Sequence, residues 1–249
     1  MPPPFFTEAD VFQWIKRYAK QNHGVEFLSL IWYIWKARND AFFNNSNMPT
    51  HVINKLAMEY CNYTTTTLCA SDSAPSFQPQ HLVRWLPPPT GHLKLNSDGS
   101  VRDSGHAAAG GLLRDSLGHW KHGFSANIGI TSPLEAELWG LVYGLQVALS
   151  LNISDLLVEL DSATLVSFFA DTTTHNRSLS NLMIRCLHSV SSFASITFRH
   201  TLREGNQAAD FLANLGHRMA PGLTIHQSPP NGIGPLLLAD EMGIAFPRL

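Results

Sequence analysis

Residues 93–98 read Leu-Lys-Leu-Asn-Ser-Asp and continue into Gly99-Ser100. The alternation puts Leu93, Leu95 and Ser97 on one face and Lys94, Asn96 and Asp98 on the other, the period of a strand with one apolar face. Asp103-Ser104-Gly105 is turn chemistry, and residues 107–114 form the second strand of the reading. Residues 115–118 turn again and residues 120–126 make a third strand, so the stretch predicts an antiparallel meander ending its first strand at Asp98.

Working outward, Pro133 suits the first turn of a helix running to about residue 151. Residues 155–160 read as a fourth strand, with a helix from 162, a helical stretch over 175–190 and a fifth strand over 196–200. Residues 207–216 close the block as a helix that stops at Gly216. The expected class is α/β, a five-stranded mixed sheet flanked by helices, built from a three-strand antiparallel meander plus two parallel strands. Residues 1–65 read as a helical extension, opened near Thr7 and Asp10. The stretch 25–43 is apolar almost all round until Lys36, so it needs a packing partner. Residues 66–91, with a Thr run and Pro87-Pro88-Pro89, read as a linker before the block at 92–218. Residues 219–249 read as a mostly irregular tail with one short helix near 236–242.

Composition narrows the function classes. The 249 residues are 44% hydrophobic and 14% charged, with a net charge of −2, so gripping nucleic acid by charge alone is disfavoured. Between residues 91 and 219, nine Lys and Arg face eleven Asp and Glu, again −2, so any such contact must be local and metal-assisted. Cys61, Cys69 and Cys186 are odd in number and form no CxxC pair, which supports neither a disulfide framework nor a zinc site. MPPPFFTEAD has no basic and apolar leader pattern, and the longest apolar run, residues 30–35, is far too short to cross a bilayer. The expectation is an intracellular protein without membrane contact.

Four carboxylates stand out because each sits at an end or edge of an expected element: Asp98, Glu137, Asp161 and Asp210. Brought together they would repel one another unless cations held them. Each has an ordinary alternative. Asp98 precedes a Gly-Ser turn, Asp161 with Ser162 suits a helix N-cap, and Asp210 lies on a polar helix face. Glu137 and Glu135 flank the Leu134, Leu138, Leu141, Leu145 stripe symmetrically, so helical periodicity does not choose between them. Glu137 does lie beside Gly140, Gly144 and Ala148, where another chain can approach closely. His200 precedes a loop just upstream of Asp210.

The ordered segments KLNSDGS, EAELWGLVYGL, VELDSATLV and FRHTLREGNQAADFLANLG resemble the ribonuclease H domain. More narrowly they resemble the plant reverse-transcriptase-like ribonuclease H group related to non-LTR retrotransposons. The resemblance covers about residues 92–218. It implies a ribonuclease H-like fold and a catalytic metal site of Asp98, Glu137, Asp161 and Asp210, and it selects Glu137 over Glu135. It also implies His200 as the loop histidine that assists proton transfer or product release. The implied cofactor is two Mg²⁺ ions, with Mn²⁺ as a substitute. Asp98 would bridge both ions, Asp210 would help hold the ion on the water side, and Glu137 and Asp161 would hold the other. The implied substrate is the RNA strand of an RNA–DNA hybrid. The segment IWYIWKARNDAFF resembles the helical stretch preceding this domain in such elements, and its Trp32–Trp35 face is a candidate protein-docking surface. Two rival readings remain. One is a domesticated nucleic-acid or protein-binding module without turnover. The other is a different nuclease of the same fold.

Overall fold

A helix that is apolar nearly all round must find neighbours, and the N-terminal unit supplies two. The computed structural model describes residues 11–43, 47–69, 82–170 and 180–248. The chain divides into a unit spanning residues 1–79 and another spanning 80–249. In the first, α2 (Gly24–Phe43) packs against α1 (Val11–Ala19) and α3 (Thr50–Cys69). Trp14, Tyr18 and Phe27 cluster at the α1–α2 contact, with Trp14 edge-on to Phe27 at 5.2 Å. Ala37, Ala57, Tyr60 and Cys61 are buried in the same unit. Trp32 and Trp35 are half-buried and stack at 5.1 Å. The helix start expected at Thr7 and Asp10 lies outside the described residues. The helical region was expected to stop at 65, but α3 continues to Cys69 through the Thr run, where low helix propensity proves a weak prior.

The second unit begins with β1 (Leu82–Val83), followed by β2 (Leu93–Val101), β3 (His106–Arg114), β4 (Trp120–Ile130) and α4 (Pro133–Ser150). Then come β5 (Asp155–Leu160), α5 (Ala163–Ala170), α6 (Asn181–Val190), β6 (Ser195–His200) and a single 3-10 turn, Arg203–Gly205. The unit ends with α7 (Gln207–Gly216), β7 (Gly222–His226), α8 (Gly234–Glu241) and β8 (Phe246–Pro247). The main sheet has the order β6-β5-β2-β3-β4-β7. Strands β2, β3, β4 and β7 pair antiparallel, while β5 and β6 run parallel to β2. Gly105 and Gly118 take φ of 80° and 83° in the two meander turns, the left-handed conformation those turns need.

Three expectations are corrected. The sheet has six strands, not five, because β7 adds to β4 with Phe124 opposite Ile225. The tail over 219–249 is therefore not mostly irregular: it supplies β7, α8 and β8. Its strand is only five residues long between Pro- and Gly-rich flanks, too short to show a clear period. The expected linker over 66–91 loses both its ends, the first to α3 and the last to β1 and the buried Trp85 of the second unit.

The two faces of the sheet are covered differently. On one, α4 lays Leu138, Leu141 and Leu145 over Leu95 and Val158 to form the apolar core. On the other, α7 crosses β3 so closely that a methyl group on Gly110 would stand 2.1 Å from the Ala213 backbone nitrogen. That second face carries a ladder of buried polar side chains. Lys94 pairs with Glu159, and Arg114 pairs with Asp240 of α8. The Arg114 guanidinium lies 3.7 Å from the Trp85 ring centroid, a cation–π contact. Asn96 accepts hydrogen bonds from Trp85 Nε1 at 2.9 Å and Arg114 Nη2 at 3.1 Å. Burial pushes the Asp240 carboxyl up, with Arg114 pulling it back only in part. Breaking such a buried pair strands its partner charge, at a cost of about 3–5 kcal/mol. Asp240→Ala is therefore expected to lower unfolding stability by that amount, with Asp240→Asn costing less, as read from urea midpoints; an Ala variant within about 0.5 kcal/mol of the parent would contradict it.

Candidate metal centre

β2 runs beyond Asp98 to Val101, so Asp98 stands inside the strand and not at its end. Its pairing with β5 stops earlier, at Asn96 opposite Glu159, while pairing with β3 continues. Asp98 thus lies where the sheet opens on its parallel side. Asp161 follows the last residue of β5, two positions after Glu159, so the register puts it on the same face as Asp98. Asp98 is buried, and Asp161 is half-buried.

Glu137 arrives from α4 through two close approaches. A methyl group on Gly99 would meet the Glu137 backbone nitrogen at 2.3 Å, and one on Gly140 would meet the Asp98 carbonyl oxygen at 2.8 Å. With no side chains there, the Glu137 carboxylate reaches the strands and accepts a hydrogen bond from the Gly99 backbone N–H. Glu135 is engaged elsewhere. It closes a capping box with Ser132 and accepts from Thr131 Oγ1, at the exposed start of α4.

One oxygen each from Asp98, Glu137 and Asp161 lie within 4.8 Å of one another. Asp210 lies outside that trio, on the first turn of α7, where Asn214 Nδ2 donates to its Oδ1 at 3.1 Å. Its charge nevertheless reaches the trio. Burial pushes the Asp98 carboxyl well above its ordinary value, and Asp210, Glu137 and Asp161 push it further. Glu137 is raised to about 8 by burial and then by Asp161. Asp161 is raised by burial against the pull of Arg203. Asp210 is raised to about 6 by burial and Asp161; because its surface is exposed, water relieves part of that desolvation. His200 is exposed, with Nε2 at 3.1 Å from the Asp161 carbonyl oxygen.

The residues present fit a divalent cation. All the candidate ligands are hard carboxylate oxygens. Glu137 Oε2 and Asp161 Oδ1 are buried and have no hydrogen-bond partner. Orphaned acceptors of this kind are costly in a folded protein, and a cation would satisfy both.

Sequence reasoning missed three contributors. Asn206 is buried, donates from Nδ2 to the Ser97 carbonyl at 3.0 Å, and accepts on its own carbonyl from Asp210 N at 3.1 Å. It therefore pins the start of α7 to the residue before Asp98. Asn96 Nδ2 donates to Asn206 Oδ1 at 3.3 Å, tying that pin to the polar ladder. Arg203 places Nε 3.8 Å from Asp161 Oδ2. The polar alternation of residues 94–98 signalled Asn96; nothing local signalled the other two.

Residues 96–216 match the family model described as reverse transcriptase-like. The match takes in just under half of this chain. An Arabidopsis thaliana protein named as a ribonuclease H protein is 31% identical over 255 aligned residues, an alignment that takes in 98% of this chain. The chain spans 41% of that relative's length. Among solved structures, the N-terminal RNase H domain of a Mycobacterium tuberculosis protein is 25% identical, with a TM-score of 0.48, over 51% of this chain and 94% of that one. RNase H1 of Halobacterium salinarum is 25% identical, with a TM-score of 0.46, over 52% of this chain and 100% of that one. The matched region lies within a mixed sheet of four antiparallel and two parallel strands flanked by helices.

The raised carboxyls set a pH signature for the reverse transcriptase-like domain. A carboxyl whose folded pKa exceeds its unfolded value favours the fold while protonated, so that stability is lost as pH rises through the folded value. Without divalent ions, the thermal midpoint should fall as pH climbs from the ordinary Glu value of 4.5 through about 8. Added Mg²⁺ should raise it most at the alkaline end, since ligand carboxyls must be deprotonated. Calorimetry at stepped pH in EDTA and in Mg²⁺ checks this, and a Mg²⁺ effect largest at acid pH would contradict it. Gly140→Ala should force α4 off β2, costing about 1–3 kcal/mol in urea unfolding and weakening Mg²⁺ binding in titration calorimetry.

Proposed function

We infer that the reverse transcriptase-like domain is a metal-dependent ribonuclease H that hydrolyses the RNA strand of RNA–DNA hybrids. The observation that carries this reading is the convergence of Asp98, Glu137 and Asp161 with two buried oxygens lacking any donor. Both the family match and the relative named as a ribonuclease H protein support it. A solved structure of LC11-RNase H1, 24% identical with a TM-score of 0.45, is titled as a complex with an RNA/DNA hybrid.

In this reading Asp98, Glu137, Asp161 and Asp210 hold two Mg²⁺ ions, or Mn²⁺ in their place. The bound ions supply an activated water and neutralise charge at the scissile phosphate. The protein's own groups do the rest. Asp98, fixed within β2 and buried, gives the centre a rigid anchor. Asp161 and Glu137 approach it from separate elements, and without cations their closeness is relieved by holding protons, in keeping with the raised Glu137 carboxyl. Asn206 holds the start of α7, and with it Asp210, against β2. His200 is exposed and donates Nε2–H to the Asp161 carbonyl, so proton exchange at the rim of the site falls to its Nδ1. Selection of RNA over DNA rests on the 2′-hydroxyl, the group that separates the two strands chemically.

The test is cleavage of a labelled RNA–DNA hybrid with Mg²⁺ and with EDTA. Asp98→Asn should lower the rate more than about a hundredfold, and His200→Ala by about a hundredfold. Cleavage that survives EDTA or the Asp98 change would overturn the reading. Hybrid binding with no turnover under any divalent ion would favour a binding module instead.

A further inference from the structure

Among the described cations of this unit, Arg203 is the one paired with a carboxylate of the acidic trio. Its Nε lies 3.8 Å from Asp161 Oδ2, yet its side chain is 92% exposed. Its charge acts on Asp98, Glu137, Asp161 and Asp210 alike. The backbone beneath it is held firmly. Arg203–Gly205 form one 3-10 turn, Gly205 N donates to the Leu202 carbonyl at 2.8 Å, and Asn206 N donates to the Arg203 carbonyl at 2.9 Å. Gly205 is wedged so tightly that a methyl group there would stand 2.6 Å from Thr201 Oγ1. Asn206 is buried and bonded to β2. An anchored turn thus carries a long, solvent-facing guanidinium to the edge of an acidic site.

We propose that Arg203 exchanges partners: it is a stand-in counterion for the carboxylates without metal, and a clamp on a nucleic-acid phosphate once divalent cations occupy them. The inference rests on the ribonuclease H reading above. An exposed pair at 3.8 Å is weak, so a divalent ion displaces the guanidinium easily. Once the carboxylates are engaged, the guanidinium faces solvent where the phosphodiester strand must lie. Its planar fork matches phosphate oxygens in a two-pronged bond that Lys cannot make. In a domain with a net charge of −2 over residues 91–219, one such cation is a large share of the local attraction for the strand.

The exchange makes an unusual forecast, because removing Arg203 should move two affinities in opposite directions. With Arg203→Ala, Mg²⁺ binding by titration calorimetry should tighten about two- to fivefold, as a competing cation is lost. Binding of a hybrid in Mg²⁺ should weaken about five- to tenfold, and its logarithmic salt slope should become shallower by about one. A 2′-O-methylated RNA strand prevents turnover during that measurement. Arg203→Lys keeps the charge and should restore the salt slope while recovering affinity only in part. If the Ala change weakens both affinities, or leaves hybrid binding and its salt slope unaltered while the parent binds both ligands, the proposal is overturned. A parent protein that binds neither Mg²⁺ nor hybrid instead overturns the ribonuclease H reading, and this inference with it.

Discussion

The approach of α4 to β2 is the constraint from which the site follows. Gly99 and Gly140 lack side chains at the closest approach of helix and strand, so backbone meets backbone where a side chain would otherwise intervene. That closeness turns Glu137 toward Asp98, and the parallel register of β5 brings in Asp161 on the same face. The three carboxylates are then held by elements that the apolar core fixes independently, with Leu138, Leu141 and Leu145 locked against Leu95 and Val158. Packing energy, not mutual affinity, keeps the three together: burial raises every one of them, and repulsion adds to it at Asp98 and Glu137.

Much of this architecture was legible in strand alternation. Lys94, Asn96 and Asp98 on one side of β2, and Leu157, Glu159 and Asp161 on one side of β5, follow from a period of two, and the register brings those two sides together. Helical periodicity was less informative, because Glu135 and Glu137 flank the same stripe. A local signal would have separated them: Ser132-Pro133-Leu134-Glu135 has the spacing of a capping box, which assigns Glu135 to the helix start. Gly99-Ser100 has the look of a turn, which would end the strand at Asp98. In the fold, that glycine marks close packing within a strand that continues to Val101.

What stayed hidden depends on contacts between residues distant in sequence. Asn206 and Arg203 lie in a short loop whose composition is unremarkable, and their importance comes from meeting Ser97 and Asp161. The tail was opaque for a similar reason. Gly222–His226 is too short to show a period, and becomes a strand because β4 offers it a free edge. Asp240 looks like an ordinary polar residue at a helix end until Arg114 is found buried beneath it.

The pairing of β1 with β8, together with the contact of Trp85 and Asp240 with Arg114, brings the two ends of this unit to the same place. During synthesis, Arg114 is made more than a hundred residues before the carboxylate that neutralises it, Asp240. Until then the sheet carries a charge it cannot bury, and its polar face stays open to water or to other chains. The last helix therefore acts as a closing latch. A ribosome-bound chain cut short before Asp240 would carry Asp98, Glu137, Asp161 and Asp210 without the carboxylate that neutralises Arg114 in the ladder behind them.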